Sequence, residues 1–214
     1  MLLPGIWLPR ATLVVLARRL KSRGYAVRLF RYGTLSEDSG QAAARLAARC
    51  RAEPPLAVVG HSLGGLLAVA AALRHGLAAR RIVCLGSPLR GSALARAVAA
   101  QRLTRPGLGR HRRLLIEGLP GAPPEPPVGV IAGTLPVGIG ALFAGLALPH
   151  DGVVSVAETE LPGLAAHRCL HVNHAGLLIA PSAAHALLEF LEHGRFGDGP
   201  PEKRGAPVGR DPSC

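Results

Sequence analysis

The chain has 214 residues, enough for one sizeable core and short for two. Hydrophobic residues make up 49% and aromatic residues only 3%, which excludes a largely disordered chain and leaves few rings for stacking on bases. The formal charge of +12 comes almost wholly from arginine; no aromatic residues are interleaved with the basic ones, so nucleic acid is not an expected partner, and an anionic partner competes with a general arginine bias as the explanation.

Short apolar runs alternate with helical periodicity along the chain, which predicts an α/β protein with a largely parallel sheet flanked by helices. Leu2-Leu3 begins a strand that ends at Pro4-Gly5. Residues 12–23 carry Leu13, Leu16, Ala17 and Leu20 at helical spacing, with Gly24 as a stop. Strands are expected at 26–30 and 56–59, with an alanine-rich helix at 41–51 between them. The next helix, 63–74, is entered directly from Ser62, and a strand at 81–85 runs into Gly86-Ser87-Pro88.

A helix is predicted at 92–103. Residues 103–127, with Arg105, Arg110, Arg112, Arg113 and several prolines, read as irregular and lid-like. Residues 128–132 read as a strand and 133–148 as a glycine-rich apolar loop. The uncharged stretch 128–149 also approaches the length of a membrane span. The last strand is expected at 169–172 and the last helix at 181–193, with Pro181 suited to a first turn. One domain over 1–196 and a disordered Gly/Pro/charged tail over 197–214 complete the division.

Cys50, Cys84, Cys169 and Cys214 show neither a CxxC pair nor metal-ligand spacing, and the pattern suits a reducing compartment. Cys84 and Cys169 lie in apolar runs and read as buried small hydrophobes. The first residues lack the basic start of a signal peptide, so a cytoplasmic protein is expected.

The chemistry centres on Gly60-His61-Ser62-Leu63-Gly64-Gly65. This fits G-x-S-x-G between a strand and a helix, the context in which the motif signals a nucleophile on a strained turn. A serine hydroxyl is a weak nucleophile until a base takes its proton. With such an elbow the acid and then the histidine follow the serine.

Among the aspartates, Asp38 precedes Ser62, and Asp198 and Asp211 fall in the tail. Asp151 remains, in His150-Asp151-Gly152-Val153-Val154, with Glu158 and Glu160 as fallbacks; a bare turn cap with Gly152 is the structural alternative. His174 is the favoured base, in the loop after the last strand, with His171 next and His167 third. Those three histidines could also suggest a metal site, but no cysteine or carboxylate completes one. The oxyanion donors are expected to be the backbone N–H of Leu63 and that of Ile6, with Trp7 second.

On these residues the chain resembles the α/β-hydrolase superfamily, in particular compact bacterial lipases and esterases, over roughly residues 2–196. The elbow looks like the lipase form, Asp151-Gly152-Val153-Val154 like the acid loop, and His174 stands where the histidine loop falls. The resemblance implies hydrolysis of carboxylic esters through an acyl-enzyme, with Ser62, His174 and Asp151 as triad and no cofactor. Small-molecule esters or lipids are the implied substrates. Acyl transfer, thioester cleavage and a non-catalytic interaction role stay open, as does the oligomeric state. The arginines between Arg102 and Arg113 fall where lids insert, and contact with an anionic membrane surface competes there with a solvated face. Two departures stand out: Pro4-Gly5 replaces the family's usual His-Gly, and its earlier strands are missing ahead of Leu2, giving a minimal version of the fold or a late start.

Overall fold

The computed structural model describes residues 1–7, 11–53, 56–142 and 145–197. Among these, β1 (Leu2–Leu3), β2 (Leu56–His61), β3 (Ala79–Leu85), β4 (Val128–Gly133) and β5 (Ala166–Leu170) pair in chain order as one parallel sheet. Parallel neighbours require crossovers. These are α1 (Thr12–Lys21) and α2 (Ser39–Arg51), then α3 (Leu63–His75), then α4 (Ala93–Ala100) and α5 (Arg112–Glu117), then α6 (Val156–Thr159). The chain continues through α7 (Gly176–Ile179) and α8 (Pro181–His193).

Side chains alternate across a strand, and the central stretches of β2, β3 and β4 are buried on both faces, so they are apolar at successive positions. Leu3, Val58, Ile82, Cys84 and Val130 join α2, α3 and α4 in one core. Leu2, Val59, Val83, Leu85 and Ile131 join α1 and α8 in the other. The helix α3 lies deepest: Leu63 through Ala71 are all buried, which is why its sequence is apolar all round rather than striped. The last helix begins at Pro181 and ends at left-handed Gly194, the favoured residues at those positions.

Several expectations need correction. Residues 26–30 are not a full strand: Leu29 forms a single bridge to Leu2, because β1 is too short to extend a ladder. The helix expected at 92–103 stops at Ala100. Residues 103–127 are less irregular than expected: Arg105–His111 is a 3-10 helix broken at Gly109, and α5 follows directly.

The last strand runs over Ala166–Leu170 rather than 169–172. Its early half is polar because partners satisfy it: Arg168 pairs with Glu189 of α8 at 2.7 Å, and His167 meets Thr159 Oγ1 at 2.7 Å. His167 therefore lies within the strand and His171 beyond it. Cys169 is only half-buried. The stretch 128–149 opens as β4 inside the sheet and contains a 3-10 turn at Ile139–Leu142; among the described residues no helix is long and apolar enough to cross a membrane. Apart from Gly197, the predicted tail lies outside the described residues.

Candidate active site

Ser62 stands between the end of β2 and the start of α3 with φ 53° and ψ −120°, a region that non-glycine residues avoid. The ladder continues to its own amide, which donates to the Leu85 carbonyl at 2.9 Å, so the turn is held up to the reversal. Gly60 and Gly64 make that reversal possible. A Cβ on Gly60 would stand 2.3 Å from the Gly64 carbonyl carbon, and one on Gly64 would stand 2.6 Å from the Leu3 oxygen. Leu63 opens α3, where backbone N–H groups lack intrahelical acceptors and the helix dipole is positive.

Asp151 is 1% exposed and its carboxylate does two jobs. Oδ1 accepts from the amides of Val153 at 2.9 Å and Val154 at 2.7 Å, closing the turn through Gly152. Oδ2 accepts from His174 Nδ1–H at 2.6 Å. The turn cap and the histidine contact are thus combined in one side chain. A second link joins the same residues, because His174 N–H donates to the Asp151 carbonyl at 2.8 Å. With Nδ1 protonated and engaged, the other ring nitrogen of His174 carries the lone pair.

Ser62 and His174 line the same cavity of about 340 Å³, together with apolar Ile6, Trp7, Val137, Ile139 and Val153. The other sequence candidates go elsewhere. Glu158 is committed to its capping box with Ser155 and to the amide of Ala93. Glu160 is exposed. His167 faces Thr159, and His171 is exposed, 3.5 Å from Thr134 Oγ1. The three downstream histidines therefore have three different sets of partners, not a common ligand.

Sequence reasoning misses the part played by His61. It is fully buried, and its Nε2–H donates to the His174 carbonyl at 3.0 Å. Its ring lies tilted against that of His174, with centroids 4.5 Å apart, while Nδ1 has no hydrogen-bond partner among the described residues. A histidine next to a nucleophile is visible in the sequence, but a contact to a residue 113 positions away is not.

No protein-family model matches the sequence, and no curated protein matches it. Solved structures do. The mature form of a Bacillus licheniformis lipase superposes with a TM-score of 0.70 at 18% identity, over 89% of each chain. A metagenomic carboxyl esterase gives 0.64 at 19% identity, over 90% of this chain and 75% of its own. A thermophilic esterase from Thermogutta terrifontis gives 0.55 at 15%, over 89% and 88%. The chain has the α/β-hydrolase fold. The strand-turn-helix around Ser62 and the loops after β4 and β5, which carry Asp151 and His174, lie at the same edge of this parallel sheet.

Burial pushes His61 well below its ordinary value of 6.5, and the neighbouring His174 pushes the same way, against the opposing bond to the His174 carbonyl. Burial also lowers His111 and His167. The unfolded chain therefore takes up protons below pH 6.5 that the folded chain refuses, so stability is full above that pH and falls as the solution is acidified. Each such histidine contributes a slope of at most about 1.4 kcal/mol per pH unit. Denaturation between pH 7.5 and 5.5 should show stability rising with pH, less steeply in His61→Gln; an equal slope in the variant would remove His61 from this balance.

Proposed function

We propose that the protein is a serine hydrolase that cleaves carboxylic esters through an acyl-enzyme. The observation that carries this is the 2.6 Å bond between Asp151 and His174, with His174 and the strained Ser62 lining one apolar cavity. Ser62 Oγ attacks the ester carbonyl while the free ring nitrogen of His174 takes its proton. Asp151 holds the imidazole in the Nδ1–H tautomer and stabilises the imidazolium that forms. The N–H groups of Leu63 and Ile6 receive the charge that develops on the carbonyl oxygen. His174 then protonates the leaving alcohol, and a water activated by the same imidazole releases the acid. No step needs a cofactor.

The apolar walls support an uncharged, hydrocarbon-bearing substrate, such as a small ester or a lipid. Trp7, Val137 and Ile139 are each about half exposed around the cavity, and Trp7 Nε1–H donates to the Gly107 carbonyl at 2.7 Å. That bond ties the cavity wall to the 3-10 segment around Gly107. We infer that the segments around Gly107 and around Val137–Ile139 form part of its rim, and that the arginines between Arg102 and Arg113 favour substrates at an anionic surface.

Hydrolysis of p-nitrophenyl esters tests the chemistry. Ser62→Ala, His174→Ala and Asp151→Asn should each lower kcat by on the order of 10⁴-fold with folding retained; undiminished turnover in Ser62→Ala overturns the proposal.

Acyl-chain length tests the substrate class. Each added methylene that enters the cavity should raise kcat/KM by up to about fourfold, from roughly 0.8 kcal/mol of burial. A flat or falling series from acetate onward counts against a lipid substrate.

A further inference from the structure

The loop Pro4-Gly5-Ile6 lacks the side chain that a histidine at position 4 would provide, and proline has no N–H to anchor. Its restraint comes from elsewhere in the chain. The Tyr32 hydroxyl donates to the Pro4 carbonyl oxygen at 2.5 Å. On another side the same oxygen lies against α3, where a Cβ on Gly64 would stand 2.7 Å from it. A trans peptide is planar, with its carbonyl and the next N–H pointing oppositely. Holding the Pro4 oxygen therefore fixes the plane of the Pro4–Gly5 peptide. The next peptide, which carries the Ile6 N–H, is confined because Gly5 packs so closely that a Cβ there would stand 3.0 Å from His61 Nδ1 and Ser62 Cβ. Downstream, Trp7 sits at φ 62° and is tied through its indole to Gly107, so the short loop is held at both ends.

Tyr32 is itself immobilised. It is 6% exposed; Phe30 stacks on it with centroids 6.4 Å apart, and His111 meets it edge-on at 5.6 Å. His111 in turn donates Nε2–H to the Gly33 carbonyl at 3.0 Å and accepts from Ser39 Oγ at 2.8 Å. Burial pushes the Tyr32 phenol above its ordinary value, so the hydroxyl remains a donor at neutral and mildly alkaline pH. Rotating the Pro4 carbonyl away would leave that hydroxyl buried without a partner, a costly state.

We propose that Tyr32 is the positioning residue of the oxyanion loop, holding the Pro4 carbonyl so that the Ile6 amide is aimed at the oxygen on which charge develops. This rests on the ester-hydrolase reading of Ser62. Tyr32 acts through Pro4 and not on the substrate, so its loss falls on kcat rather than KM.

The test is Tyr32→Phe, read by steady-state kinetics and by the infrared carbonyl stretch of a slowly hydrolysed cinnamoyl acyl-enzyme. The expected result is a kcat lowered about 10- to 100-fold, KM within about twofold of wild type, and a stretch moved to higher wavenumber as the carbonyl loses polarisation. An unchanged stretch, or a loss of activity that tracks thermal stability with the stretch unmoved, overturns the role of Tyr32. A wild-type chain that forms no acyl-enzyme overturns the ester-hydrolase reading and the Tyr32 proposal with it. If Tyr32→Phe does not fold, 4-aminophenylalanine at position 32 reads the same contact: as a weaker donor it should raise the stretch part-way, and a wild-type value overturns the proposal.

Discussion

Two loops that leave the sheet 37 residues apart, after Gly133 and after Leu170, are joined by the hydrogen bond between Asp151 and His174. The carboxylate is buried, and a buried charge is costly unless it is paired and hydrogen-bonded. Here one oxygen accepts two backbone amides and the other accepts the imidazole N–H, so the charge is stabilised only when both loops take these conformations. The same arrangement selects the tautomer of His174. The loop structure and the proton chemistry thus have one cause.

The sheet supplies the rigid frame for that bond. Parallel strands bring every β-to-α turn to one edge, and Ser62, Asp151 and His174 all follow strands in this way. Around them the close approaches are tight enough to be exclusive. His61 spans from the elbow to the histidine loop, Tyr32 from its own loop to Pro4, and Trp7 from the cavity to the arginine-bearing segment. Each links a residue in or beside the Ser62 cavity to a segment remote in sequence.

Most of the frame was legible in the sequence, because it is written locally. Apolar runs of strand length, an alanine-rich helix, and the Pro181 and Gly194 ends of α8 each signal their own structure. Asp151 and His174 could be singled out locally, since only three aspartates follow Ser62, two of them in the tail, and His174 stands in the loop just after the last strand. What was not legible depends on partners remote in sequence. The polar start of β5 makes sense only beside Glu189 and Thr159. The strand expected at 26–30 lacked a β1 long enough to pair with. The restraints from His61 and Tyr32 cross 113 and 28 residues, and no local pattern reports them.

Whether Ser62 is a nucleophile activated by a His174 that Asp151 holds is read by peptide mapping by mass spectrometry after treatment with a fluorophosphonate, in the wild type and in His174→Ala. The expected result is a single adduct on Ser62 in the wild type and labelling slowed by orders of magnitude in the variant. An adduct on another residue, or labelling of Ser62 at the same rate without His174, would contradict that role.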